Sequence, residues 1–228
     1  MQILFRTDAS STIGKGHVMR CLSLAIELRE NGGTCKFICR AHDGNLINRI
    51  TEEGFEVATL PLHSYNPRSP NHDSGNHIHL SCLGTDWETD ANETILALGN
   101  KPVDWLIVDH YALDFRWESM LRKVARRIMV VDDLADRDHD CDLLLDQNLI
   151  ADMEVRYDTR VPSQCACLLG PEFALLHPEY SELRGRTAPR SGPIRRILVS
   201  FGGLDHHGRT ALAVESILST NGQDIILD

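Results

Sequence analysis

Brief apolar runs alternate with longer amphipathic stretches along the chain, and the two periods separate well. Runs rich in β-branched and aliphatic residues predict strands at Ile3–Thr7, Thr34–Cys39, Glu56–Leu60, Trp105–Asp109, Arg127–Val131, Leu143–Leu145 and Ile197–Phe201, with a last one at Ile225–Leu227. Helical spacing, as in Val18, Cys21, Leu22, Ala25 and Leu28, predicts helices over His17–Asn31, Asn45–Glu53, Thr89–Leu98, Arg116–Ala125 and Thr210–Leu218. Strand–helix alternation of this kind builds an α/β fold: a doubly wound, Rossmann-like parallel sheet with right-handed crossovers and ligands at the carboxyl ends of its strands.

Two stretches break the rhythm. His63 to Leu80 is rich in His, Asn, Ser and Pro and reads as a long solvated loop; its His72, His77 and His79 lack an acidic partner at ligand spacing. Arg184 to Pro193 is basic and rich in Pro and Gly, so it reads as a linker between domains. The expected organisation is therefore an N-terminal domain over 1–186, a linker over 187–193 and the start of a second Rossmann-like domain over 194–228. One β-α-β unit cannot bury both of its faces, so the last segment is expected to be the truncated beginning of a larger domain.

Composition narrows the function classes. The 228 residues are 42% hydrophobic and 25% charged, a globular balance with a packed core. A net charge of -10 opposes a nucleic-acid groove or an anionic membrane surface, both of which need a basic patch. The opening Met-Gln-Ile-Leu-Phe-Arg is no basic leader before an apolar stretch, and no run approaches the roughly 20 apolar residues of a membrane span, so a cytoplasmic protein is expected. Seven cysteines, with Cys21, Cys35, Cys39 and Cys141 in or beside apolar segments, read as buried free thiols. Cys35 and Cys39 share a strand face without a second ligand pair, and no metal site is expected.

The densest chemistry lies where the first strand meets the first helix. Gly14-Lys15-Gly16-His17 opens that helix. Its glycines let backbone approach a ligand, and its unpaired amides offer donors and a positive dipole end to a phosphate. His17 in the first turn has the position and the chemistry of a general base. Asp109-His110-Tyr111 follows another strand directly, and Tyr111 reads either as a hydrogen-bond partner for a sugar or reacting water or as a half-buried loop tyrosine. Asp132-Asp133-Leu134-Ala135-Asp136-Arg137 reads as a solvated turn with caps and a local ion pair, or as a ligand contact. Asp146-Gln147-Asn148 ends a third strand with groups suited to hydroxyl or acetamido substituents, whereas Leu169 to Leu176 reads as a turn followed by packing residues.

These segments, Arg6-Thr7-Asp8, Gly14-x-Gly16-His17-x-x-Arg20, Asp109-His110-Tyr111, Asp132-Asp133-x-x-Asp136-Arg137, Asp146-Gln147-Asn148, Leu169-Gly170-Pro171 and Phe201-Gly202-Gly203-x-Asp205, stand in an order that resembles the PseG family. Its members are UDP-2,4-diacetamido-2,4,6-trideoxy-β-L-altropyranose hydrolases of pseudaminic acid biosynthesis. The resemblance implies a GT-B-like architecture, two Rossmann-like domains facing a cleft, and a metal-independent, inverting hydrolysis of a UDP-sugar without a cofactor by a monomer. By position it implies His17 as catalytic base and Tyr111 as its active-site partner. Thr7, Asp8, Gly14, Gly16, Arg20, Asp109 and Asn148 would bind substrate, and Gly202, Gly203 and Asp205 the nucleotide. Leu204 departs from the family pattern, which has Ser or Thr after the paired glycines. A GT-B glycosyltransferase with a UDP-sugar donor, or a non-catalytic sugar-nucleotide-binding fragment, are the alternatives. A dinucleotide oxidoreductase fits worse, because Met19 stands at the third glycine position and the second strand ends in Arg40 rather than an acid.

Overall fold

The computed structural model describes residues 1–63, 82–99, 101–201, 205, 208–220 and 225–228. The His-rich stretch with His72, His77 and His79 lies outside the described residues, as do Gly202, Gly203 and Leu204. The chain divides into two compact units, Met1–Tyr180 and Ser181–Asp228.

The first unit is built on seven strands: β1 (Gln2–Thr7), β2 (Thr34–Arg40), β3 (Glu56–Leu60), β4 (Val103–Asp109), β5 (Ala125–Val131), β6 (Leu143–Asp146) and β7 (Ala166–Leu169). All pair in parallel in the order β3-β2-β1-β4-β5-β6-β7. The order reverses between β1 and β4, the switch point at which open α/β sheets hold ligands. Helices α1 (Gly16–Glu30), α2 (Ile47–Glu52), α3 (Trp87–Ala97) and α4 (Phe115–Leu121) connect the strands.

Both faces of the sheet are covered, as strands apolar on both sides require. On one face Ile3, Phe5, Phe37 and Ile107 pack against Cys21, Leu22 and Ala25 of α1 and Ile50 of α2. On the other, Leu4, Ile38, Leu106 and Val130 pack against Ala91 of α3 and Trp117 and Leu121 of α4. Cys35 and Cys39 lie buried in the first of these clusters, and Cys141 in the second.

A buried ionic network ties α3 to the sheet. Asp90 accepts from Arg6 Nε at 3.1 Å and Nη2 at 2.6 Å, from Arg40 Nη2 at 2.6 Å and from Trp117 Nε1 at 3.0 Å. Arg40 also bonds Glu93 and the Pro61 carbonyl. Both terminal nitrogens of the arginine that ends β2 are therefore engaged inside the fold, and its side chain is buried.

Several boundaries depart from the sequence pattern. Helix α3 starts at Trp87, ahead of the expected Thr89, because the Asp86 carboxylate caps the Thr89 N–H at 2.8 Å. Helix α4 stops at Leu121 rather than Ala125: the Val124 carbonyl accepts from Val103 N–H at 2.9 Å, and Ala125 already pairs with Val103 in the sheet. Strand β7, unmarked in the pattern, pairs Ala166 to Leu169 with Leu143 to Asp146.

The second unit contains β8 (Arg196–Ile197), α6 (Arg209–Ser219) and β9 (Ile226–Leu227), the two strands paired in parallel. The expected strand to Phe201 is regular only over Arg196–Ile197, and its pairing continues as far as Val199, whose N–H donates to the Asp228 carbonyl at 2.9 Å. Helix α5 (Pro178–Arg186) spans the division between units and occupies the first residues of the stretch read as linker.

Candidate functional site

Strand β1 delivers Arg6, Thr7 and Asp8 to the carboxyl edge of the sheet, and the chain then turns sharply into α1. Ser10 organises this turn: its hydroxyl accepts from the N–H groups of Thr12 at 3.1 Å and Ile13 at 2.9 Å, and its carbonyl from Gly14 N–H at 3.0 Å. Gly14 follows at φ +87°, a left-handed conformation that glycine adopts without a Cβ clash. A Cβ at Gly16 would meet nothing within 4 Å, so the backbone at the start of α1 borders open space. Among the described residues no side chain caps α1, and its first turn holds no acidic residue, so its amides and dipole end suit an anion.

His17 projects from that first turn and is 6% exposed. Its Nε2 lies 3.9 Å from Asp109 Oδ1 at the end of β4, and its ring meets the Tyr111 ring edge-on, centroids 4.5 Å apart at 87°. The buried Nδ1 has no hydrogen-bond partner among the described residues. Burial lowers the pKa of His17 below 6.5, and Arg20 and His110 push the same way against the opposing pull of Asp109. The imidazole is accordingly neutral at neutral pH and able to accept a proton.

Arg20, one turn along α1, grips Asp109 with both arms, Nε to Oδ2 at 2.6 Å and Nη2 to Oδ1 at 2.7 Å, and reaches Asp133 Oδ2 at 3.2 Å. Asp109 is fully buried and also lies 3.6 Å from the Cys21 thiol. The pair thus fixes α1 against β4, and at His17 the Arg20 charge opposes the pull of Asp109. The Tyr111 phenol lies beside Asp133, and burial together with that carboxylate pushes its pKa above the ordinary value, so it stays protonated.

Buried ion pairs and hydrogen bonds behind these residues hold the loops. Asp8 is fully buried, 2.7 Å from Arg6 Nη1, 3.3 Å from His110 Nε2 and 3.5 Å from His42 Nε2, and it accepts from Arg40 N–H at 2.7 Å. Burial would raise its pKa, but Arg6, His110 and His42 hold it well below the usual carboxylate range. His110 Nδ1 accepts from Ala112 N–H at 3.1 Å, which leaves the Nε2 proton for Asp8 and sets the loop that carries Tyr111. Arg137 joins this loop to the next, donating to the Leu113 carbonyl at 2.8 Å and pairing with Asp132 at 2.9 Å. The expected solvated turn at Asp132 is instead a buried one: Asp132 is fully buried, caps Ala135 N–H at 2.8 Å and lies 3.0 Å from the Tyr157 hydroxyl.

The structure brings His17, Tyr111, Arg20, Asp109, Gly14 and Gly16 into one neighbourhood at the switch point. Thr7 is buried behind them, opposite Asp109 in the β1–β4 register. Asp8 supports from within rather than facing solvent. Asn148 stands at the same edge of the sheet but at the end of β6, with β4 and β5 between it and β1, and its N–H bonds Asp146 at 3.0 Å. Asp205 belongs to the second unit, where its carboxylate caps the N–H groups of Arg209 and Thr210, each at 2.8 Å, at the start of α6. Asp133 and His110 gain weight that sequence spacing alone did not supply. Their signal was position at strand ends, shared with several neighbours that turned out structural.

With this geometry in place, known proteins offer a comparison. The chain is similar to a sugar-nucleotide hydrolase. Over 181 residues it is 26% identical to the UDP-2,4-diacetamido-2,4,6-trideoxy-β-L-altropyranose hydrolase of Campylobacter jejuni, an alignment covering 79% of this chain and 53% of that protein. Over 223 residues it is 24% identical to an uncharacterized protein of Methanocaldococcus jannaschii, covering 96% of this chain and 40% of that one. The chain thus spans about half the length, or less, of these curated relatives. No protein-family model matches it. Among the described residues no helix is long and apolar enough to cross a membrane.

Proposed function

We propose that the chain carries the catalytic-base half of a UDP-sugar hydrolase that acts on UDP-2,4-diacetamido-2,4,6-trideoxy-β-L-altropyranose, in an inverting reaction that needs no metal. The observation that carries this reading is the buried, neutral His17 in the first turn of an uncapped helix, edge-on to Tyr111 and bordering open backbone at Gly16. The similarity to the Campylobacter hydrolase supports the substrate class. The parallel β8–α6–β9 unit supports a GT-B-like plan in which a second Rossmann-like domain begins at residue 194. Gly202, Gly203 and Asp205 would contribute there to holding the nucleotide.

In this mechanism His17 takes a proton from a water on the sugar side. The hydroxide equivalent attacks the anomeric carbon, the carbon–oxygen bond to the diphosphate breaks with inversion, and UDP departs. The protonated Tyr111 donates a hydrogen bond to the sugar or the water. Amide donors at the start of α1 stabilise negative charge developing nearby. General-base assistance supplies about 10²–10⁴ in rate, and positioning and charge stabilisation the rest.

Hydrolysis in ¹⁸O-labelled water with EDTA, using a protein that extends this chain through a full second domain, tests the reading. Label is expected in the released sugar and absent from UDP. Label in a phosphate product, or UDP release only when an acceptor is added, would replace hydrolysis at the anomeric carbon with phosphorus attack or glycosyl transfer.

A further inference from the structure

Away from the switch point, three of the seven cysteines converge at the other end of β6 and β7. Cys141 ends the loop that enters β6, and Cys165 immediately precedes β7. Their sulfurs lie 3.5 Å apart. Cys141 is fully buried, Cys165 is partly accessible and Cys167 is exposed. The main chain holds the two segments side by side: Ala166 N–H donates to the Asp142 carbonyl at 3.0 Å, and Ala166 pairs with Leu143 in the sheet. Adjacent strands run about 4.8 Å apart, within the reach of a disulfide, whereas Cys165 and Cys167, two residues apart along one chain, approach the upper limit of that reach. Among the described residues no group of three or more His, Cys, Asp or Glu side chains is arranged to hold a metal ion, which leaves these thiols their redox chemistry.

We propose that Cys165 is a peroxide-sensitive thiol whose oxidation is resolved by Cys141, closing a reversible disulfide between the segments that enter β7 and β6. The accessible sulfur reacts first and the buried one second. The Cys165 thiolate attacks the terminal oxygen of a hydroperoxide; the O–O bond breaks, an alcohol or water leaves, and Cys165 becomes a sulfenic acid. The Cys141 sulfur then attacks the Cys165 sulfur, the S–O bond breaks, and water departs with the Cys141 proton. In sum, two thiols lose two electrons and two protons, and the hydroperoxide is reduced by the same two electrons. The electrostatics agree with that order. A hydrogen bond from Cys141 lowers the pKa of Cys165, over the opposing effect of burial, while Cys141 is raised by the same contact and by burial. Cys167 is pushed up to about 11 by burial and by Cys165, so it is a poor first nucleophile.

The link has a structural consequence. It would tie the loop from Asp132 to Cys141, which presents Asp133 to Arg20, to the segment from Asn148 to Cys165. In that segment Arg156 bonds Asp146 at 2.8 Å and the Asp133 carbonyl at 3.3 Å.

The test treats the folded chain with a small excess of hydrogen peroxide, blocks remaining thiols with N-ethylmaleimide and maps the peptides by mass. A Cys141–Cys165 cross-linked peptide is expected, lost on treatment with dithiothreitol, absent in Cys165→Ser and retained in Cys167→Ser. Without peroxide, Cys165 should alkylate about tenfold faster than Cys141. In Cys141→Ser, Cys165 should run on to the sulfinic acid, and if that variant does not fold, the Cys167→Ser map and the alkylation rates still decide. A dominant Cys165–Cys167 link, faster oxidation of Cys82, or sulfinic acid at Cys165 in the unsubstituted chain would overturn the proposal.

Discussion

His17 is nearly buried, and its Nδ1, like one ring nitrogen each of His42, His110 and His139, has no hydrogen-bond partner among the described residues; what sets it apart is its place in the first turn of α1, edge-on to Tyr111. The direction of its pKa shift sets a pH dependence. Because burial favours the neutral ring, kcat/KM for hydrolysis should fall on the acid side along a limb whose pKa lies below the ordinary 6.5, full rate being kept above it. The same shift means that the unfolded chain binds this proton first. Its contribution to stability is therefore present above pH 6.5 and lost as pH falls towards the folded-state value. An acid limb clearly above 6.5 in the pH–rate profile would contradict a base held neutral by burial. Replacing His17 with Asn should lower hydrolysis by about 10²–10⁴ while leaving substrate affinity close to normal, and Tyr111→Phe should cost less, since it removes one hydrogen bond and keeps the ring against His17. Near-normal single-turnover rates for His17→Asn would move the base elsewhere.

At the scale of elements, the turn between β1 and α1 separates what folding needs from what binding needs. Gly14 holds φ +87°, so Gly14→Ala should destabilise the chain by about 1–2 kcal/mol in urea unfolding, the cost of forcing a Cβ into that conformation. Gly16 already has helical geometry and open space around its missing Cβ. Gly16→Ala should therefore leave the unfolding midpoint unchanged or slightly raised, while a methyl at the backbone's open side weakens UDP-sugar binding in calorimetry. Equal losses of stability in both variants would deny Gly16 that separate role. The Asp90 network makes a larger prediction. Asp90→Ala strands the fully buried Arg6 and Arg40 without their shared carboxylate, and should cost about 3–5 kcal/mol, enough to uncouple α3 from the sheet. Much of this architecture was legible beforehand: β1 to β6 and α1 to α4 stand where apolar periodicity put them, because strands buried on both faces and helices with one apolar stripe leave strong signals. Strand β7 escaped because Ala166-Cys167-Leu168-Leu169 is brief and is defined by pairing with β6, a tertiary fact. The last turn of α5 was hidden by Arg184, Gly185 and Arg186, whose composition resembles a linker. In the site, the glycine turn, His17 and Tyr111 were readable. The burial of Asp8 and Asp132 was not, since a carboxylate's exposure depends on arginines distant in sequence.

The two units differ sharply in how they bury their surfaces. Residues Met1–Tyr180 enclose a sheet between two layers of helix, with apolar clusters on both faces. The described residues of Ser181–Asp228 supply the end of α5, one two-stranded parallel pair and the helix between its strands, and no residue of α6 is buried. Parallel pairs are stable when both faces are covered, and two strands with one helix cover one at most. Amides of α6, β8 and β9 should thus exchange with solvent far faster than those of β1, β4 and α1. The proposed function carries the same asymmetry into activity. If nucleotide affinity depends on a complete second domain, the 228-residue chain should bind UDP weakly and turn over little, even though His17, Tyr111 and the glycine turn are fully formed in the first unit. Adding sequence that completes a second Rossmann-like domain should restore turnover mainly by raising affinity, while the acid limb of the pH profile, which belongs to His17, stays in place. UDP release measured side by side for the two proteins checks this. Equal turnover by the 228-residue chain would assign the whole reaction to the first unit and withdraw the proposed role of Gly202, Gly203 and Asp205 in holding the nucleotide.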